Sequence, residues 1–281
     1  MIPEHAAFET LAVHAGQEPD EETGALVAPV FMTSTYVFTP EKMERYLSGD
    51  KEGIFTYGRS RNPTQNALQQ KIAALEGAPA SLAVASGMAA VSLAILNCVH
   101  HGDHVLSCHT VYGGTHALIS KVLSEFGIDH SFVEEMTEEA LNRAVKPRTK
   151  VLYFETVYNP TLAIPDIELL VRWAKAKGIT TIIDNTFATP WLFRPLEHGV
   201  DVVIHSSTKY INGHGDLIGG VILGQADFID KIRSGIYQEL GPVPAPMNCY
   251  LTLRGLKTLH LRMRRHCENR SEEHTSELQS H

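Results

Sequence analysis

Ser206-Ser207-Thr208-Lys209-Tyr210-Ile211-Asn212-Gly213-His214-Gly215-Asp216 follows directly on the apolar run Val202-Val203-Ile204. The β-branched triplet reads as the end of a buried strand, and the hydroxyl- and glycine-rich stretch reads as the turn that leaves it. A lysine placed there can be held out of bulk water. Crowded by hydroxyl donors and by a second cation or a phosphate-bearing ligand, it can serve as a Schiff-base nucleophile. Ser206 and Thr208 then suit a phosphate. Taken alone, Ser-x-Thr-Lys reads as a surface lysine in a hydroxyl-rich turn.

A second stretch decides between these readings. Thr181-Ile182-Ile183-Asp184-Asn185-Thr186 is an apolar run ending in an acid, 25 residues before Lys209. A carboxylate at the carboxyl end of a buried strand is costly unless paired, and a protonated pyridine nitrogen is a suitable partner. Aspartate plus lysine is the grip that pyridoxal phosphate requires, with Asp184 holding the ring nitrogen protonated so that the ring acts as an electron sink.

The rest of the chain alternates. Strands are predicted near 81–85, 105–108, 130–133, 150–155, 180–184, 202–205 and 219–223, with helices near 116–126, 138–145, 166–177 and 226–236. This pattern predicts an α/β fold, a mainly parallel sheet wrapped by helices, with ligands at the strand carboxyl ends. Ser86, Tyr112, Glu155, Asp184 and Ser206 all fall at such ends. Asn62 and Pro63 read as N-cap and first residue of a helix whose apolar face is Leu68, Ile72 and Leu75, and which Gly77 terminates. Ser86-Gly87-Met88 is a strand-to-helix turn, so the amides of Gly87 and Met88 are candidates for cradling an anion. On the residues alone, Tyr112 could equally pack in the core or cap a turn, Asn159-Pro160 is a turn dipeptide, and Arg59 and Arg61 are solvated loop charges.

A chain of 281 residues with 43% hydrophobic and 20% charged residues has the composition of a globular protein with one large domain plus arms. The formal net charge of −8 argues against a nucleic-acid partner. No apolar run is long enough to span a bilayer, and Met1-Ile2-Pro3-Glu4-His5 carries no signal-peptide pattern, so a cytoplasmic location is expected. Cys98, Cys108, Cys249 and Cys267 are scattered and are read as reduced. His100, His101, His104, His109 and His214 do not converge on a metal-ligand spacing, and no metal is expected. Asp216 reads as a loop-ordering carboxylate. Residues 1–60 carry Pro19, Gly24, Pro29 and Pro40 among short extended pieces and read as an arm. An arm that cannot bury itself on its own domain favours an oligomer.

Asp184-Asn185-Thr186, Ser206-x-Thr208-Lys209-Tyr210 and Asn212-Gly213-His214-Gly215-Asp216 together resemble the signature of the Cys/Met-metabolism group of pyridoxal-phosphate enzymes. That group includes methionine γ-lyase, cystathionine γ-lyase, cystathionine γ-synthase and O-acetylhomoserine sulfhydrylase. The likeness runs from about Phe8 to Asn269. It implies an aspartate-aminotransferase-like large domain of fold type I, with a seven-stranded-type sheet, over residues 61–250. Residues 1–60 would be the arm contacting a neighbouring subunit, and 251–269 the start of a helix leading to a smaller C-terminal domain. Residues 270–281 resemble a translated sequencing adapter and read as a non-native tail.

The resemblance also implies roles. Lys209 would form the Schiff base and move protons, and Asp184 would hold the ring nitrogen. Gly87, Met88, Ser206 and Thr208 would bind the phosphate, joined by Tyr57 and Arg59 from the neighbouring subunit. Asn159 would bond the ring oxygen, and Tyr112 would stack on the ring and protonate the leaving group. A homo-oligomer is implied, with a dimer as the catalytic unit of a tetramer. The family places an arginine for the substrate α-carboxylate in the C-terminal domain, and these 281 residues hold no counterpart. The expectation is therefore a truncated reading of a longer enzyme.

The implied activity is carbon–sulfur γ-elimination on methionine or cystathionine, giving an α-keto acid, ammonia and a thiol. The alternatives are γ-replacement, as in cystathionine γ-synthase or O-acetylhomoserine sulfhydrylase, and an inactive cofactor-binding fragment. The loop Asn212-Gly213-His214-Gly215-Asp216-Leu217-Ile218-Gly219-Gly220 is closer to methionine γ-lyases, whose loop has glycine where cystathionine enzymes more often have serine. Gly114, where those enzymes carry cysteine, Gln238-Glu239, where they carry lysine-aspartate, and the proline-rich 241–246 segment lean the other way.

Overall fold

Seven strands hydrogen-bond into one sheet in the computed structural model, which describes residues 6–50 and 53–279, with side chains through residue 270. They are β1 (Ala80–Val84), β2 (His104–Cys108), β3 (Asp129–Val133), β4 (Thr149–Glu155), β5 (Thr180–Asp184), β6 (Val202–His205) and β7 (Gly220–Gly224). The order is β1-β7-β6-β5-β4-β2-β3. Strand β7 runs antiparallel to β1 and β6, and the other pairs are parallel. The mainly parallel α/β architecture expected from the alternation is the one observed.

The central strands were legible because both of their faces are covered by helices, which demands unbroken apolar runs. Leu152, Phe154, Ile182, Ile183, Val203 and Ile204 are all fully buried. Each such side chain contributes roughly 1.5–3 kcal/mol relative to an exposed one. The helix Pro63–Glu76 begins as predicted, with the Asn62 side chain accepting from Thr64 N, and ends where Gly77 turns left-handed at φ 70°.

Four features differ from the sequence expectation. The arm is not wholly extended, since it carries α1 (Phe8–His14) and α2 (Pro40–Leu47), followed by α3 (Pro63–Glu76) in the domain proper. Helix α1 docks on its own chain: Ala12 is fully buried, and Lys71 of α3 donates to Ala12 O at 2.8 Å and Val13 O at 3.0 Å. Beyond α1 the arm is partly covered, since Ile54 is buried and Phe31 bonds Asn62 and Thr64, while Leu26, Val37 and Leu47 are each more than three-quarters exposed. The helix predicted from 116 starts earlier, at Gly113, and runs to Glu125 through a π-helical turn at Leu118–Val122.

At the other end the connecting helix is two helices, Pro246–Leu256 and Leu259–Gln279. The first buries Cys249, Leu253 and Leu256, so the core continues past the 250 boundary. Residues 280 and 281, and the side chains of 271–279 on which the reading of a non-native tail rests, lie outside the described residues, as do residues 1–5.

Candidate active site

The carboxyl ends of β1, β2, β4, β5 and β6 and the start of β7 meet at a cavity of about 350 Å3. Gly87, Met88, Tyr112, Asn159, Asp184, Ser206, Thr208 and Lys209 all line it. Eight of the ten predicted site residues therefore share one hollow. Val91, Val157, Phe187 and Ile218 add an apolar wall.

The floor on the β1 side is the start of α4 (Gly87–Leu96). Its cap is Ser86, whose hydroxyl accepts from Ala89 N at 3.0 Å while its carbonyl accepts from Ala90 N. Gly87 and Met88 head the helix, so their amides have no carbonyl within it to bond and are free for an anion. The approach is too close for side chains. A Cβ on Gly87 would stand 2.7 Å from Ser206 Cβ, and one on Gly220 of β7 only 2.2 Å from Ser86 O. Ser206 thus faces the helix start directly. The Thr208 hydroxyl is tied to β7, donating to Gly219 O at 3.2 Å and accepting from Gly219 N at 3.1 Å.

Asp184 is oriented by Thr186, whose amide donates to Asp184 Oδ1 at 2.9 Å and whose hydroxyl donates to the same oxygen. That hydroxyl also accepts from Ser206 N at 2.8 Å, so Asp184 and Ser206 share one anchor. Burial pushes the Asp184 carboxyl above its usual range, against the pull of both Thr186 bonds. A protonated nitrogen beside it would restore the ionised form.

Lys209 sits in a turn closed by its own amide to Ser206 O at 3.2 Å and by Gly213 N to Lys209 O at 2.8 Å. The expectation that this lysine is held out of water is not met within one chain, where Lys209 is exposed. The cavity is open in one chain, and Tyr112 and Ile218, which also line it, are 52% and 61% exposed. Tyr57 and Arg59 are not brought to the cavity either. Arg59 lies 5.4 Å from the Tyr57 ring centroid and donates to Gln238 O at 3.0 Å. Asn212 donates to Asp216 at 2.7 Å, which makes Asp216 the loop-ordering carboxylate expected.

Two residues had no role assigned from the sequence. Glu155, in register with Asp184 on the neighbouring strand, accepts the Tyr112 amide at 2.7 Å and is 5% exposed. Burial first, and the Asp184 charge second, push its pKa up to about 7. A strand-end acid was visible in the sequence, but its partner is not local. Arg262, from the last helix, donates to the carbonyls of Tyr210, Ile211 and Gly255 and so clamps the lysine loop. No pattern around Arg262 distinguishes it from the exposed arginines beside it. The histidines have other partners: His104 bonds Thr149 and Ser131, and His109, His116 and His130 pack around Phe132.

The donor set fits pyridoxal phosphate. Two helix-start amides and the hydroxyls of Ser206 and Thr208 suit its phosphate, the apolar wall suits its ring, and Asp184, raised by burial, suits its ring nitrogen.

The sequence profile described as Cys/Met metabolism PLP-dependent enzyme matches residues 9–274. The chain is 42% identical over 264 residues to the L-methionine gamma-lyase of Pseudomonas putida, covering 93% of this chain and 66% of that one. It is 43% identical over 257 residues to a probable cystathionine gamma-synthase of Herpetosiphon aurantiacus, covering 92% and 78% respectively. Among solved structures, metB from Corynebacterium glutamicum superposes with a TM-score of 0.91 at 36% identity, over 100% of this chain and 71% of that one.

Proposed function

This chain belongs to the Cys/Met-metabolism family of PLP-dependent enzymes, and from that premise we propose that it acts as a carbon–sulfur γ-lyase on methionine or cystathionine, releasing an α-keto acid, ammonia and a thiol. The observation that carries the reading is a single cavity in which an amine (Lys209), a phenol (Tyr112) and a half-buried carboxylate (Asp184) stand around an apolar wall. When bound, pyridoxal phosphate supplies the sink for electrons freed at the substrate Cα. Asp184 keeps the proton on the ring nitrogen. Lys209 Nζ takes up and returns protons at Cα and Cβ, and the Tyr112 hydroxyl delivers one to the departing sulfur. Glu155 fixes the backbone of Tyr112. Val157 and Ile218 give the thioether an apolar lining.

The exposed arm supports a homo-oligomer in which Tyr57 and Arg59 complete a neighbouring site, with a dimer as the unit of a tetramer. A cytoplasmic setting accords with the described residues, none of whose helices is long and apolar enough to cross a membrane. The γ-replacement reading draws on the proline-rich 241–246 segment and on the likeness to the probable cystathionine gamma-synthase.

The test is turnover of methionine and of cystathionine by the chain supplied with pyridoxal phosphate, with and without an added thiol, alongside Lys209→Ala. Keto acid and ammonia that require Lys209 are expected. Product only in the presence of the thiol favours replacement, and no product with either substrate overturns the activity for this chain.

A further inference from the structure

Tyr153 is fully buried on β4, and its hydroxyl closes no hydrogen bond among the described residues. The buried hydroxyl of Thr115, in the helix start that follows Tyr112, is unpartnered as well. A phenylalanine and a valine would fill the same space without two stranded hydroxyls, which are costly to bury. The phenol borders an acid, and the Thr115 hydroxyl borders the phenol. Tyr153 lies two residues before Glu155, so its ring leaves the strand on the face of that carboxyl, and the register sets Glu155 beside Asp184. The Thr115 hydroxyl and the Asp184 carboxylate each act on the phenol at close range.

Asp184 has room for the contact. Both Thr186 donors reach Oδ1, and Oδ2 receives no donor among the described residues, although a carboxylate oxygen can accept two. The other titratable groups that act on Asp184 are Glu155, on the same face of β4, and His205 of β6, whose ring bonds Glu76 on the opposite face of the sheet.

We propose that Tyr153 is a positioning residue for the cofactor: its hydroxyl, backed by Thr115, donates to the Asp184 carboxylate and holds it ionised towards the ring nitrogen. The inference rests on the cofactor reading of the cavity. It places a hydrogen bond below the site, on the side of Asp184 that faces the sheet.

The experiment is a pyridoxal-phosphate titration of the whole chain, Tyr153→Phe and Thr115→Val, followed by visible absorbance across pH. Tyr153→Phe keeps the ring volume, so thermal stability is recorded as the control. Loss of one hydrogen bond to a charged group is expected to weaken cofactor binding about tenfold. It is also expected to move the pH midpoint of the Lys209-dependent band upward, because a less anionic Asp184 leaves the ring nitrogen less cationic and the ring draws less on the lysine nitrogen. Thr115→Val should give a smaller change of the same sign. Binding within twofold of the unsubstituted chain together with an unmoved midpoint in Tyr153→Phe overturns the proposal. Should that variant fail to fold, an unmoved midpoint in Thr115→Val overturns it. Absence of any Lys209-dependent band in the unsubstituted chain refutes the cofactor reading itself, a different result from a normal band that Tyr153→Phe leaves unchanged.

Discussion

Replacing Glu155 by glutamine removes a charge while keeping an oxygen to accept the Tyr112 amide. The carboxyl is 5% exposed and its pKa rises from 4.5 to about 7, through burial and then through the Asp184 charge. The folded chain therefore binds more protons here than the unfolded chain between pH 4.5 and 7. Stability from this group is complete below pH 4.5 and is lost as pH rises through about 7. At about 1.4 kcal/mol per unit, the whole shift is worth about 3 kcal/mol, of which about 2.5 kcal/mol disappears between about pH 5 and pH 8. Glutamine does not titrate. Glu155→Gln should thus match the parent near pH 5 and exceed it by about 2 kcal/mol near pH 8, measured by urea denaturation of both proteins at the two pH values. A difference that stays constant with pH, or a variant less stable at pH 8, would refute the reasoning. The same substitution removes a like charge from beside Asp184, so the aspartate should ionise more readily.

Two further perturbations test other parts of the structure. Lys71 is fully buried, and burial, with Lys257's charge second, lowers its pKa from 10.5 to about 7. The unfolded chain then binds more protons above pH 7, and stability should rise with pH by up to about 1.4 kcal/mol per unit. Lys71→Met should flatten that rise up to about pH 9, beyond which Cys98 and Cys249, pushed up to about 12, act in the opposite direction; equal slopes in denaturation series would sink the assignment. Gly220→Ala places a methyl 2.2 Å from Ser86 O and 2.9 Å from Gly87 N, both backbone atoms. It should cost about 1–3 kcal/mol and displace the helix start proposed to cradle the phosphate, which a fully stable variant loading pyridoxal phosphate normally would contradict.

The parts of the fold legible in the sequence are those that local chemistry governs. Strands β5 and β6 were legible because a strand covered on both faces needs a contiguous β-branched run, and α3 because Asn62-Pro63 and Gly77 satisfy its terminal backbone groups locally. Helix α1 was missed because seven residues hold too few apolar positions to establish a period, and its docking depends on Lys71, 59 residues away from Ala12. Lys209 and Asp184 could be named from their strand ends, and Gly87 and Met88 from a strand-to-helix turn.

The sequence by itself determined which elements form and which residues stand at their carboxyl ends, since propensity, capping and burial on both faces act over a few residues. The tertiary structure alone decided which of those ends face one another. Glu155 meets Tyr112 across 43 residues, Arg262 meets Tyr210 across 52, and Tyr57 and Arg59 stay away from the cavity of their own chain. Such distances follow from the order in which strands pair, and that order is set by the packing of the whole sheet.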